Sequence, residues 1–111
     1  MDSLTFIAHC LSFDEVIELP HFEKTSFRVN KKIFATLNIQ KRQATFKLSA
    51  IDQSFFCDFD RINIWPATGA WGKQGWTIFY LTTLTDEMLI DALTFSYCNV
   101  APKKLSEKYK C

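Results

Sequence analysis

The segment from Lys24 to Leu48, KTSFRVNKKIFATLNIQKRQATFKL, most narrows what this chain can fold into. β-Branched and aromatic residues recur in it with period two between turn formers, the pattern of three consecutive strands joined by two tight turns. It carries seven basic residues, Lys24, Arg28, Lys31, Lys32, Lys41, Arg42 and Lys47, and no acid. The formal net charge is only +1 over 111 residues, so positive charge is concentrated in about one quarter of the length.

Two registers are open to the first hairpin. A two-residue loop, Asn30 and Lys31, would put Arg28 on the same face as Ile33, Ala35 and Leu37 and so bury a charge. A three-residue loop, Asn30 to Lys32, with one φ > 0 residue forming a bulge, instead aligns Thr25, Phe27, Val29, Ile33, Ala35 and Leu37. The second register is preferred. A four-residue loop, Gln40 to Gln43, then pairs Ile39 with Ala44 and Leu37 with Phe46. The opposite face becomes Lys24, Ser26, Arg28, Phe34, Thr36, Asn38, Thr45 and Lys47, polar and basic with one aromatic.

At 111 residues the chain is expected to form a single domain, residues 1–111, able to bury a core without metal or disulfide help. Eleven Phe make that core aromatic, and three Gly with three Pro argue against disorder. No run of 18 apolar residues marks a membrane span, and no basic region precedes an apolar one at the N-terminus, so a cytoplasmic location without membrane contact is expected. Cys10, Cys57, Cys98 and Cys111 are spread without a C-x-x-C pair and are expected as reduced thiols, Cys10 and Cys98 in the core and Cys111 exposed. Their spacing, with His9 and His21, does not suit structural zinc, so no metal and no cofactor are expected.

The segment DSLTFIAHCLSFDEVIELP reads as a helix carrying Leu4, Ile7, Ala8 and Leu11, followed by a short second helical turn from Ser12 and Glu15 to Pro20. Residues 1 to 23 hold five acids and no Lys or Arg, and these acids read as a solvated face. Ser49 to Asp52 starts a short amphipathic helix with Ile51, Phe55 and Phe59 at i, i+4 and i+8. Ile62 to Trp65 is a strand stopped by Pro66, and the Gly-rich loop Ala67 to Gly75 leads into a strand from Trp76 to Leu81. Within that loop Trp71 is expected to fold back onto the sheet, since an exposed Trp is costly. Thr85 caps a long helix whose stripe is Leu89, Leu93, Tyr97 and Val100, with Ala92 and Ser96 beside it, ended by Pro102. The tail from Lys103 to Cys111 is a second basic cluster.

In this order LSF, TSFRVNKKIFATL, the K-L-S strand exit, W-P-A before a Gly-rich hairpin, G-W-T-I and S-Y-C-N-V-A-P-K-K-L resemble the MmcQ/YjbR family over roughly residues 4 to 109. The resemblance implies an α+β two-layer sandwich similar to the CyaY (frataxin-like) arrangement, helices on one face of a roughly five-stranded antiparallel sheet. It also implies DNA binding through a double wing. Carried onto this sequence, the wings are the turns Asn30 to Lys32 and Gln40 to Gln43, with Lys31, Lys32, Lys41 and Arg42 at their tips. Arg28 and Lys47 extend the basic surface, and Phe34 is placed to stack on an unpaired base of DNA or RNA. Frataxin-like iron binding needs a dense acidic ridge on the first helix, which Asp14, Glu15 and Glu18 do not supply. No nucleophile–base or paired-carboxylate spacing is present, so no catalytic activity is expected. The rival from another class is a protein interaction module using the open sheet face and the Trp71 loop.

Overall fold

A computed structural model describes residues 1–109 of the chain. The expectations for Lys110 and Cys111 lie outside the described residues. Helix α1 (Ser3–Ser12) begins where the Asp2 carboxylate accepts from the Thr5 backbone N–H. Six strands follow, β1 (Ile17–His21), β2 (Lys24–Val29), β3 (Lys32–Asn38), β4 (Gln43–Lys47), β5 (Ile64–Pro66) and β6 (Trp76–Tyr80). Between and after them lie α2 (Ala50–Phe59), α3 (Ala70–Lys73), α4 (Asp86–Val100) and α5 (Lys103–Ser106), then a 3-10 turn at Glu107–Tyr109. The strands form one antiparallel sheet in the order β1-β2-β3-β4-β6-β5.

The α+β, two-layer expectation holds, with six strands where about five were read. The sixth is β1. Ser12 and Glu15 do not form a capping box: α1 stops at Ser12, Glu15 turns the chain at φ 62, and Ile17–His21 pairs along β2. Pro20 ends no helix; it sits in an edge strand, where a missing N–H breaks no ladder on the solvent side.

The first hairpin uses the register that sequence reasoning set aside. Val29 pairs with Lys32, leaving Asn30 and Lys31 as a two-residue loop, both at positive φ (51 and 67). The burial of Arg28 that made this register unattractive is avoided because the ladder slips one step farther on. Arg28 faces Ile33, Phe27 faces Ala35, and Phe34 is the extra residue between them. The bulge lets Ile33 share the outer face with Arg28 while Ala35 and Leu37 return to the core face. It also turns Phe34 inward. The second loop is Ile39 to Arg42, with Asn38 paired to Gln43 and Leu37 to Ala44. This differs from the expected pairing by two residues, which conserves every face and leaves Ile39 exposed in the turn.

Helices α1, α2 and α4 lie on one face of the sheet. From the strands that face presents Phe27, Ala35 and Phe46 in one row and Leu37, Ala44, Phe79 and Ile64 in the next. Phe6 of α1 stacks on Phe46 (5.9 Å, 10°) and meets Phe27 edge-on. Burying each such ring is worth roughly 1.5–3 kcal/mol. The α4 stripe is as read, with Leu89, Ala92, Leu93, Ser96 and Tyr97 buried and the Thr85 hydroxyl accepting from Met88 N–H.

Helix α2 forms where expected, but its face is not the expected one. Phe56 packs on Phe79, whereas Ile51, Phe55 and Phe59 point to solvent. Polar anchors fix this rotation. The Ser49 hydroxyl caps Asp52 N–H, and the Gln53 amide reaches the carbonyl oxygens of Gly72 and Trp76 and the Thr77 hydroxyl. Trp71 does not fold back: α3 holds it 63% exposed. Cys10 and Cys57 are free thiols, while Cys98 is disulfide-bonded, which corrects the expectation of reduced thiols there.

Candidate nucleic-acid interface

Because β3 joins the two basic turns, they lie at its opposite ends. Its seven residues separate them by on the order of 20 Å. At one end Lys31 and Lys32 are exposed in the two-residue turn, and Arg28 is half-buried across from Ile33. Lys47 closes β4 at this same end. A shallow groove there is lined by Lys32, Ile33, Lys47, Trp76, Asn99 and Val100. The Lys47 ammonium lies 5.5 Å from the Trp76 ring centroid, a cation–π distance, and the Asn99 side-chain amide donates to the Lys47 carbonyl oxygen at 3.4 Å. Arg28 Nε donates to the Ser26 hydroxyl at 3.1 Å, which lays the guanidinium along the outer face. Lys103 and Lys104 follow within four residues of Val100 and are exposed.

Lys41 and Arg42 occupy the other end. There the Asn38 side-chain oxygen accepts from Lys41 N–H, and Arg42 adopts φ 55. The Arg42 carbonyl accepts from Leu81 N–H, and the Leu81 carbonyl accepts from the N-terminal ammonium, which is 3.5 Å from Asp86. Glu18, Glu23 and Lys24 line a groove beside this turn. Charge at this end is therefore mixed, whereas the Asn30 end is predominantly basic.

The structure thus brings together Arg28, Lys31, Lys32 and Lys47 and separates them from Lys41 and Arg42. Phe34 is removed from the surface altogether. It is 0% exposed, edge-on to Tyr97 (5.5 Å) and Phe13 (6.3 Å), with its carbonyl bound by the Ser96 hydroxyl. The bulge is the physical reason, since strict alternation from the inward Ala35 and Leu37 would have turned it outward.

Other aromatics take the outer face. Trp76, Ile78 and Tyr80 alternate with the inward Thr77 and Phe79, and Trp65 lies opposite Ile78 with its ring 5.2 Å from Tyr80. All four are half-buried. The alternation of WTIFY carried this signal, but which parity faced out was fixed only by the pairing of Phe79 with Ala44. Among the described residues no group of three or more His, Cys, Asp or Glu comes together, and no helix is long and apolar enough to cross a membrane.

The model of the YjbR family matches residues 11–99, most of the chain and all six strands. The chain belongs to the YjbR family. In the same fold is the crystal structure of Deinococcus radiodurans protein DR2400, which carries the DUF419 domain. At 18% identity it superposes with a TM-score of 0.81 over 98% of this YjbR chain and 88% of that one. The likeness is one of architecture. No curated protein matches this YjbR chain.

Proposed function

We propose that this YjbR domain binds nucleic acid, without catalysis, through the basic end of its open sheet face. The observation that carries the reading is the gathering of Arg28, Lys31, Lys32 and Lys47 beside Trp76 at the Asn30 end of the sheet, around a groove that Asn99 and Val100 of α4 close on one side. Four cations in one patch suit consecutive phosphates, whose neutralisation releases condensed counterions. The half-exposed rings of Trp76, Tyr80 and Trp65 continue from the patch across the sheet, a platform of the kind on which unpaired bases stack. The reading therefore favours single strands over duplex and makes the Asn30 turn, not the pair of turns, the contact.

The test is fluorescence anisotropy with labelled single-stranded DNA, RNA and duplex DNA at low and near-physiological salt. Lys31→Glu/Lys32→Glu is expected to weaken binding at least about tenfold, and Lys41→Glu/Arg42→Glu by no more than about threefold. Absence of binding at low salt, or a larger loss from the second pair, defeats the proposal. A second reading, a protein docked on the same face, rests on the apolar share of Trp65, Ile78 and Tyr80. It predicts an association nearly indifferent to salt.

A further inference from the structure

The outward face of α2 is apolar in a way its position does not explain. Ile51, Phe55 and Phe59 are 82%, 60% and 66% exposed at i, i+4 and i+8, and Ile62 in the following turn is 83% exposed. On the neighbouring helix, Phe95 is 37% exposed and joins the stripe through the Phe55–Phe56 and Phe56–Phe95 ring contacts (5.2 and 5.9 Å). At about 200 Å² for a fully exposed side chain of this size, the five leave on the order of 600 Å² of apolar surface in water. That is the upper limit of the patch a monomer usually carries. The helix is not free to turn it inward, because Gln53 ties the opposite side to the Gly72 carbonyl and the Thr77 hydroxyl.

We infer that this stripe is the interface of a two-fold homodimer. Two arguments select a second copy as the occupant. Stripe against stripe removes roughly 1,200 Å² in total, the size at which specific, stable interfaces begin. The rim is also self-complementary. Along one edge of the stripe run Asp58 and Arg61, an ion pair at 2.9 Å with both side chains mostly exposed. In an isologous contact between antiparallel helices the same edge of each copy meets itself, so two acids and two bases share one rim without net charge. A partner of single charge sign would leave one of them opposed to its like. The inference is independent of the nucleic-acid reading, since the stripe lies on the helical layer and the basic end on the outer face of the sheet.

The experiment is sedimentation equilibrium on the full chain up to about 1 mM, without nucleic acid. A dimer is expected with a dissociation constant in the micromolar range. Phe55→Asp and, separately, Ile51→Asp are expected to weaken it at least about a hundredfold with unchanged circular dichroism, because both side chains are already in water in the monomer. Asp58→Arg alone should weaken dimerisation, and Asp58→Arg/Arg61→Asp should restore it. A chain that stays monomeric at about 1 mM overturns the inference, as does a dimer that Phe55→Asp leaves intact.

Discussion

The Ser96 hydroxyl donates to the Phe34 carbonyl oxygen at 2.6 Å, across 62 residues of sequence. This bond ties the middle of α4 to the residue of β3 that bulges out of its pairing with β2. An extra residue in a strand leaves a backbone group outside the ladder, and here a buried side chain satisfies it. The bulge that hides Phe34 is therefore held in place from the helical layer.

Removing that bond has a definite consequence. Ser96→Ala leaves a buried carbonyl unpaired and is expected to lower stability by about 1–3 kcal/mol, read from urea denaturation. Phe34→Ala should cost about 3–5 kcal/mol, as expected for a ring enclosed by Phe13 and Tyr97, while the folded fraction keeps its affinity for nucleic acid. A Phe34 variant with native stability and lost binding contradicts this placement.

Gly75 is a second point of sensitivity. It sits at φ +105, and a Cβ there would overlap the carbonyl oxygen of Leu48, while the Gly75 carbonyl accepts from Leu48 N–H at 3.0 Å. Gly75→Ala is expected to cost at least about 1–3 kcal/mol from the backbone conformation alone, with the overlap added. Gly69→Ala, also at positive φ but with open space around its Cβ, should cost less; thermal melts of the two variants check the order.

The proposed phosphate contacts set a salt dependence. Four cations predict that the logarithm of the association constant falls with the logarithm of salt concentration at a slope of about −3 for single strands. Lys47→Gln should reduce that slope by about 1, measured by anisotropy across a salt series. A slope near zero removes the electrostatic patch from the account.

Tyr97 supplies a pH signature. Its hydroxyl donates to the Asp14 carbonyl at 2.8 Å, and burial first, then the nearby Tyr109, Asp14 and Glu15, push its pKa from 10.0 to about 12. A phenol that ionises later in the folded chain than in the unfolded one stabilises fully below pH 10, and this contribution is lost as pH rises toward 12. Urea midpoints measured from neutral to alkaline pH should fall over that window, and Tyr97→Phe should flatten the fall.

Much of the layer structure was legible in the sequence. The period-two runs of β2, β3, β4 and β6, the Ser49 and Thr85 caps, and the α4 stripe are local signals, and each element forms where it is read, with the alternation of β3 broken only by the bulge at Phe34. The failures share a cause. Val16, Ile17 and Leu19 suit a helical turn as well as an edge strand, and only pairing with β2 decides between them. The Ile51, Phe55 and Phe59 periodicity was genuine, but Gln53, bonded to three groups some 20 residues away in sequence, turned that stripe outward.

The candidate site divides along the same line. By itself the sequence determined that this is an α+β chain, that its core is aromatic, and that its cations crowd into one three-stranded segment, because propensity, periodicity and charge are properties of neighbouring residues. Tertiary structure alone decided which cations act together, since β3 carries two turns to opposite ends of the sheet. It also decided that Phe34 is core and Trp76 is surface. A one-residue bulge reverses the facing of every residue beyond it, and nothing local to Phe34 records the helix that holds that bulge in place.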